Sequence, residues 1–277
     1  MLSLILLAGQ EEVRLVEHVH GDNPVTYFNI HDDEDTATAA TLRFLQQRSG
    51  RLVELKQQGE RLILGRVGKE TFWFDPNRIF TEQGITNTLR ECNPESWLRY
   101  AARTLVQRMG AVVRRVVGEP AQADPSPQYL GAAPPEAALV VKRFADALLE
   151  SVLEKGANVL VSVHNNCDGE YSARSYLPQA EDGADAAEVF LAADRDPDDF
   201  FFVTDRRLFS DLKARGFNIV LQRNEAVRDD GSLSVYCGRK GIPYADIEAQ
   251  EGHENTQLEM LEAFDTVLRT LNLQSGP

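Results

Sequence analysis

The stretch V-T-Y-F-N-I-H-D-D-E-D at 25–35 constrains the fold more than any other part of the chain. An apolar run rich in β-branched and aromatic residues ends abruptly at a histidine, and four consecutive acids follow. Such a pattern predicts a strand that empties into a site. His31 and Glu34 stand three residues apart. If the chain turns straight back into a helix beginning near Asp35, both side chains reach one point. An imidazole nitrogen and a carboxylate oxygen at such a point suit zinc, each at roughly 2.0–2.2 Å. The same acids also suit a plain solvated helix start, which the helix dipole favours.

A second strand has the same ending. A-N-V-L-V-S-V at 157–163 follows a helix predicted over 135–155 and runs into His164-Asn165-Asn166. A helix that feeds a buried apolar strand is an ordinary α/β step. Open α/β sheets hold ligands beyond the carboxyl ends of their strands, so His164 is the natural third ligand to join His31 and Glu34. Cys167 lies three residues on, but its acidic surroundings disfavour a thiolate. His18 and His20 share one face of a strand predicted over 13–20 and form a rival pair without a nearby third ligand.

The remaining elements place these residues in one architecture. G-D-N-P at 21–24 predicts a hairpin joining the strand at 13–20 to the one at 25–30. A helix is expected over 35–48 and strands over 52–56, 61–66 and 71–74, each extending the same sheet. A further helix is expected over 94–117, with Trp97, Ala101, Leu105 and Met109 on one side. Five prolines in 118–136 mark a surface loop. Strands at 188–192, 200–204, 217–222 and 242–250, helices to about 215 and over 255–271, and a turn at 228–232 complete the chain. The fold class is α/β: a mixed, largely parallel central sheet flanked by helices. Residues 13–277 are expected to form one domain, and 1–12 fit either a truncated signal peptide or a first buried strand. The first reading implies export to the periplasm or outside the cell, the second a cytoplasmic protein.

Charge and composition exclude some partners. Lys and Arg number 29 against 43 acids, for a formal net charge of −14. A nucleic-acid backbone is therefore not expected as a partner. The longest apolar run near the N-terminus falls well short of the about 20 residues needed to span a bilayer. Three widely spaced cysteines suggest no disulfide framework. The acid loop D-R-D-P-D-D at 194–199 lacks the oxygen spacing of an EF-hand calcium site.

Two more motifs carry chemistry. D-P-N-R at 75–78 follows the strand T-F-W-F and reads as a β-turn or as a carboxylate-binding element. Glu248 sits inside the apolar strand I-P-Y-A-D-I-E-A-Q, where an ionised carboxylate is costly unless paired, so it faces either solvent or a site. In order, H-x-x-E at 31–34, D-x-N-R at 75–78, His164 and Glu248 resemble the zinc carboxypeptidase superfamily. That superfamily holds the carboxypeptidase A-like enzymes and the aspartoacylase and succinylglutamate desuccinylase branch, and it implies a zinc exopeptidase fold. The resemblance implies that His31, Glu34 and His164 hold one zinc, that Asn77 and Arg78 receive a substrate's free carboxylate, and that Glu248 is the general base. A small peptide or an N-acyl amino acid is the implied substrate. No counterpart of the family's substrate-covering tyrosine is secure, with Tyr236 and Tyr244 nearby in sequence, and Arg61, Arg66, Arg90 and Arg174 compete for the second arginine. Two other readings stand beside this one. A two-metal phosphoesterase could use His31, Asp32, Asp33, Asp35 and His164, and a non-catalytic binding module could share the fold.

Overall fold

The computed structural model describes residues 2–8, 11–22, 25–93, 133–153 and 159–273, with side chains from 13 onward. The helix expected over 94–117 and most of the proline-rich segment lie outside the described residues. Among the described residues a nine-stranded mixed sheet forms the centre, in the order β1-β2-β4-β3-β7-β11-β9-β10-β8. The strands are β1 (Leu2–Ala8), β2 (Glu11–His20), β3 (Thr26–Asn29), β4 (Gly50–Lys56), β7 (Leu160–Asn166), β8 (Ala186–Phe190), β9 (Phe200–Val203), β10 (Asn218–Gln222) and β11 (Tyr244–Gln250). The middle of the sheet is parallel: β4, β3, β7 and β11 run in one direction. Antiparallel strands border it on both sides.

Two expectations about pairing are corrected. Strand β2 does not form a hairpin with β3 but pairs antiparallel with β4, which lies between them. The physical reason is burial. All four residues of β3 are buried, so it occupies the sheet interior, whereas β2 alternates apolar and charged residues and suits an outer position. Strands β5 (Ile63–Val67) and β6 (Glu70–Phe74) do not extend the sheet; they form a separate two-stranded ribbon that packs over one face.

Helices α1 (Asp35–Leu45), α4 (Arg206–Ala214) and α6 (Glu254–Thr270) cover one face of the sheet, over Tyr27, Leu52, Val161, Val163, Ala245 and Ile247. The β5–β6 ribbon and helices α2 (Glu82–Glu91), α3 (Ala137–Val152) and α5 (Leu233–Lys240) cover the other, over Phe28, Val53, Leu160 and Tyr244. Because side chains alternate along a strand, β7 and β11 feed both cores at once. The second face carries the information about function. Its apolar row begins with Leu160 and Tyr244 and then turns polar at Ser162, His164 and Asn166 on β7 and Asp246, Glu248 and Gln250 on β11. A buried sheet face changes from core to polar groups at such a boundary only where something other than packing is required. No helix among the described residues is long and apolar enough to cross a membrane.

Candidate metal centre

Strand β3 ends at Asn29, and His31 lies in the short link before α1, with Glu34 at the helix N-cap. The Glu34 backbone N–H donates to the His31 carbonyl at 3.3 Å, a tight turn that puts both side chains on one side. Asn29 Nδ2 reinforces it by donating to the Glu34 carbonyl at 3.2 Å. From the adjacent parallel strand β7, His164 projects to the same point. His31 Nδ1 lies 2.8 Å from Glu34 Oε1, and His164 Nδ1 lies 2.8 Å from Glu34 Oε2. All three residues are buried, and their ligand atoms lie within 4.8 Å of one another. Among the described residues no other group of this kind occurs.

The donor chemistry fits a cation at this point. His31 Nε2 meets Asp75 Oδ1 at 3.1 Å. A proton on Nε2 facing that carboxylate leaves Nδ1 as a bare lone pair aimed at a carboxylate oxygen. Two acceptors hold a separation of 2.8 Å only with a positive charge between them, a proton or a metal ion. His164 presents the same edge to the other oxygen, and its Nε2 is buried without a hydrogen-bond partner. Two imidazoles and one carboxylate, with no thiolate, suit zinc, whose tetrahedral ligand atoms stand about 3.4 Å apart. Modest spreading of the present spacing reaches that value.

The electrostatics point the same way. Burial works against ionisation of Glu34, yet His164 and His31 outweigh it and hold the carboxyl well below the usual range. Burial opposes charge on His164 too, but Glu34 and Asp246 raise it to about 10. Asp75 is held well below its ordinary value despite burial, by His31, Arg61 and Arg78. Replacing Asp75 by Asn keeps its shape but weakens its hold on the His31 ring; zinc affinity should fall roughly 10–100-fold in a chelator competition titration. Unchanged affinity would show that Asp75 does not orient His31.

The structure separates the residues that sequence left open. Arg61 Nη1 donates to Glu34 Oε1 at 3.0 Å, and its Nε approaches Asp75 Oδ2 at 4.0 Å. Arg90 bonds to Asn87 on α2, and Arg174 is exposed in the short turn Ala173–Tyr176. Tyr244 is a core residue and Tyr236 packs on α5 at the same core, so neither overlies the cluster. Tyr171 was not singled out from sequence. The charges of Glu248, Asp246 and Arg78 all act at or around its hydroxyl, which bonds to that of Tyr176.

Pro76–Arg78 form a single 3-10 turn capped by Asp75, whose Oδ1 accepts from the Asn77 backbone at 2.8 Å. One carboxylate therefore ties the D-P-N-R turn to the His31 ring. The Asn77 side-chain oxygen accepts from Leu233 N at 3.4 Å, and Arg78 Nη1 pairs with Asp230 Oδ2 at 2.9 Å. The first contact is to the opening residue of α5 and the second to the loop before it. Gly84 and Gly231 allow that loop to approach, since a Cβ on Gly84 would lie 2.2 Å from the Gly231 Cα.

Glu248 stands directly opposite His164 in the parallel β7–β11 ladder. It is buried, and Asn166 Nδ2 donates to its Oε2 at 3.3 Å. Burial, and next the neighbouring Asp246, push its carboxyl up to about 8. Asp246 was missed in sequence although it lies two residues before Glu248, and therefore on the same face of the strand.

No protein-family model and no curated protein sequence matches the chain. Solved structures do. The tripeptide-bound cell shape determinant Csd4 of Helicobacter pylori is similar at 13% identity and a TM-score of 0.46, over 94% of this chain and 56% of that one. An aspartoacylase family protein of Mesorhizobium loti is similar at 14% identity and a TM-score of 0.43, over 99% of this chain and 67% of that one. A succinylglutamate desuccinylase/aspartoacylase of Rhodobacter sphaeroides is similar at 13% identity and a TM-score of 0.41, over 96% and 61%. The chain thus spans little more than half the length of Csd4.

The other acidic and histidine groups turn elsewhere. Asp32 accepts from the backbone of Gln57 and Gly59 and pairs with Lys56, while Asp33 and Asp35 are exposed. Asp32 is thus committed to the link after β4, and among the described residues neither Asp33 nor Asp35 joins the His31–Glu34–His164 group. His18 bonds to Glu54, and His20 to the Arg48 carbonyl. In the acid loop, Asp198 accepts from Gly169 N, and Asp199 from Gln250 N and His253. These bonds explain the loop as a structural clasp.

Proposed function

We propose that this chain is a zinc-dependent hydrolase that cleaves an amide bond next to a free carboxylate, of the carboxypeptidase or N-acyl amino acid deacylase type. The observation that carries it is the register of Glu248 against His164, which sets a buried acid beside a His-Glu-His cluster. His31, Glu34 and His164 would hold the metal. When bound, zinc supplies Lewis acidity that polarises the scissile carbonyl and acidifies water.

The chain's own residues do the rest. Glu248 takes a proton from the attacking water and passes it to the leaving amine, a shuttle commonly worth about 10²–10⁴-fold. Its raised affinity for protons suits the delivery half of that shuttle. Asp75 fixes the His31 ring. Arg61, already within hydrogen-bond reach of Glu34, stands where positive charge can meet a developing oxyanion. Arg78, with Asn77 beside it, binds the substrate carboxylate. A guanidinium matches a carboxylate bidentately, and only one of its nitrogens is engaged with Asp230.

The substrate is a small peptide or an N-acyl amino acid. A screen of N-acyl amino acids and short peptides with the zinc-loaded protein tests this reading. Within it, Arg78→Ala should reduce kcat/KM for free-acid substrates by about 30-fold or more and leave the matching amides nearly unaffected. Equal losses on both would make Arg78 a structural residue that holds the Asp230 loop.

A further inference from the structure

Glu34 stands at the N-cap of α1, where a side chain ordinarily accepts from the second or third backbone N–H of the helix. It makes no such bond; its two oxygens are turned to His31, Arg61 and His164 instead. The cap comes from another strand. Asn165 follows His164 on β7, and its Oδ1 accepts from Ala37 N, the third residue of α1, at 2.8 Å. The rest of the Asn165 amide is equally committed: Nδ2 donates to the Ala249 carbonyl on β11 at 3.3 Å and to Gln257 Oε1 on α6 at 3.2 Å. Gln257 is fully buried, and its Nε2 donates to the His164 carbonyl at 2.9 Å and to the Ile247 carbonyl at 3.2 Å. Two side-chain amides thus join α1, β7, β11 and α6 directly behind the cluster. They hold the backbone of His164 on one side and the helix that opens after Glu34 on the other.

Strand pairing does not perform this task. β3 pairs with β7 only as far as Phe28 opposite Ser162, so that ladder ends before it reaches either histidine. Asn165 continues the row of Val161 and Val163, which belong to the core of the face away from the cluster, so it does not enter the site. A polar network with every member bonded specifies one arrangement of the elements that it joins, whereas apolar packing tolerates small shifts. Metal ligands need their geometry held within about 0.5 Å. We infer that Asn165 and Gln257 are positioning residues for the metal centre, which set the separation of Glu34 and His164 by capping α1 from the strand that carries His164. This inference rests on the proposed zinc site. Both residues act through the backbone and the helix, and neither is a ligand.

The test measures zinc affinity by chelator competition, the absorption spectrum of the cobalt-substituted protein and the melting temperature of the metal-free protein. It compares wild type with Asn165→Ala, Gln257→Met and the double variant. Gln257→Met keeps the length and bulk of the side chain in the core while removing its hydrogen bonds. Leu212→Ala, which opens a cavity in the same core on α4, is the control for lost stability alone. Each single variant should bind zinc about 10-fold or more weakly than wild type and shift the cobalt spectrum. Leu212→Ala should melt earlier with wild-type affinity and spectrum. Because the two amides act as one unit, the double variant should lose less than the product of the two single losses. Wild-type affinity and spectrum in Asn165→Ala or, should that variant not fold, in Gln257→Met would overturn the inference and leave the zinc site standing. Losses that simply multiply in the double variant would also overturn it, since the two amides would then act separately. A wild type that binds neither zinc nor cobalt would sink the metal site itself, and this inference with it.

Discussion

Replacing Glu248 by glutamine is expected to leave folding and zinc content near normal and to lower kcat by about 10²–10⁴-fold. The amide keeps the shape of the side chain and can still meet Asn166, but it accepts no proton. Stability should respond in a characteristic way. In the metal-free folded protein the Glu248 carboxyl keeps its proton up to about 8, whereas an ordinary glutamate loses it near 4.5. A carboxyl whose folded pKa is raised costs stability as the pH climbs from the unfolded value to the folded one. Glu248→Gln removes that cost, so the metal-free variant should gain on wild type progressively between those values and hold a constant advantage above them. Melting temperatures across this range, with kcat and zinc content at one pH, separate a general base from a packing residue. An unchanged kcat would remove the mechanism.

Replacing His164 by alanine is expected to have the largest effect on the metal. It deletes one of the three proposed ligands and leaves the Glu34 Oε2 atom without its 2.8 Å partner in a buried setting. Zinc affinity should fall by more than about 100-fold, beyond the effect of an orienting residue such as Asp75. The metal-free variant should also be less stable, because Glu34 is held ionised chiefly by His164 and then His31 against its burial. His18→Ala, which alters a bond to Glu54 on β4 and touches none of the three clustered residues, should keep its zinc. Zinc retained by His164→Ala, or lost from His18→Ala, would reassign the ligands.

Local chemistry explains which parts of the fold and site were legible in the sequence. His31 and Glu34 are three residues apart across a strand-to-helix turn, and His164 and Glu248 are polar residues in apolar strands. Each of those signals lies within a few residues. The mixed α/β sheet was legible for the same reason, since the buried strands are apolar runs between turn residues. Partners set by tertiary pairing were not legible. Asp75 meets His31 from 44 positions away, and Arg61 differs from Arg66, Arg90 and Arg174 only by where the β4–β5 link folds. The β2–β3 hairpin failed because a turn signal tells where a chain reverses and not which strand it pairs with. Helix α5 lies between the turn expected at 228–232 and the strand expected at 242–250, where the sequence predicts no element. Its cap signals were present: Ser232 accepts from Val235 N, and Gly241 adopts a left-handed conformation after Lys240. Its short length and its β-branched and glycine residues masked the helical period. Asp246 shares its face of β11 with Glu248 by the strand period, but no motif of its own marks it.

Metal content of the purified, zinc-dialysed protein, measured by mass spectrometry with protein concentration from amino-acid analysis, tests the central claim most directly. One zinc per chain in wild type, absent from His164→Ala, is the result that the His31–Glu34–His164 cluster predicts. Two ions per chain would favour the phosphoesterase arrangement, and no bound zinc in wild type would contradict the account at its root.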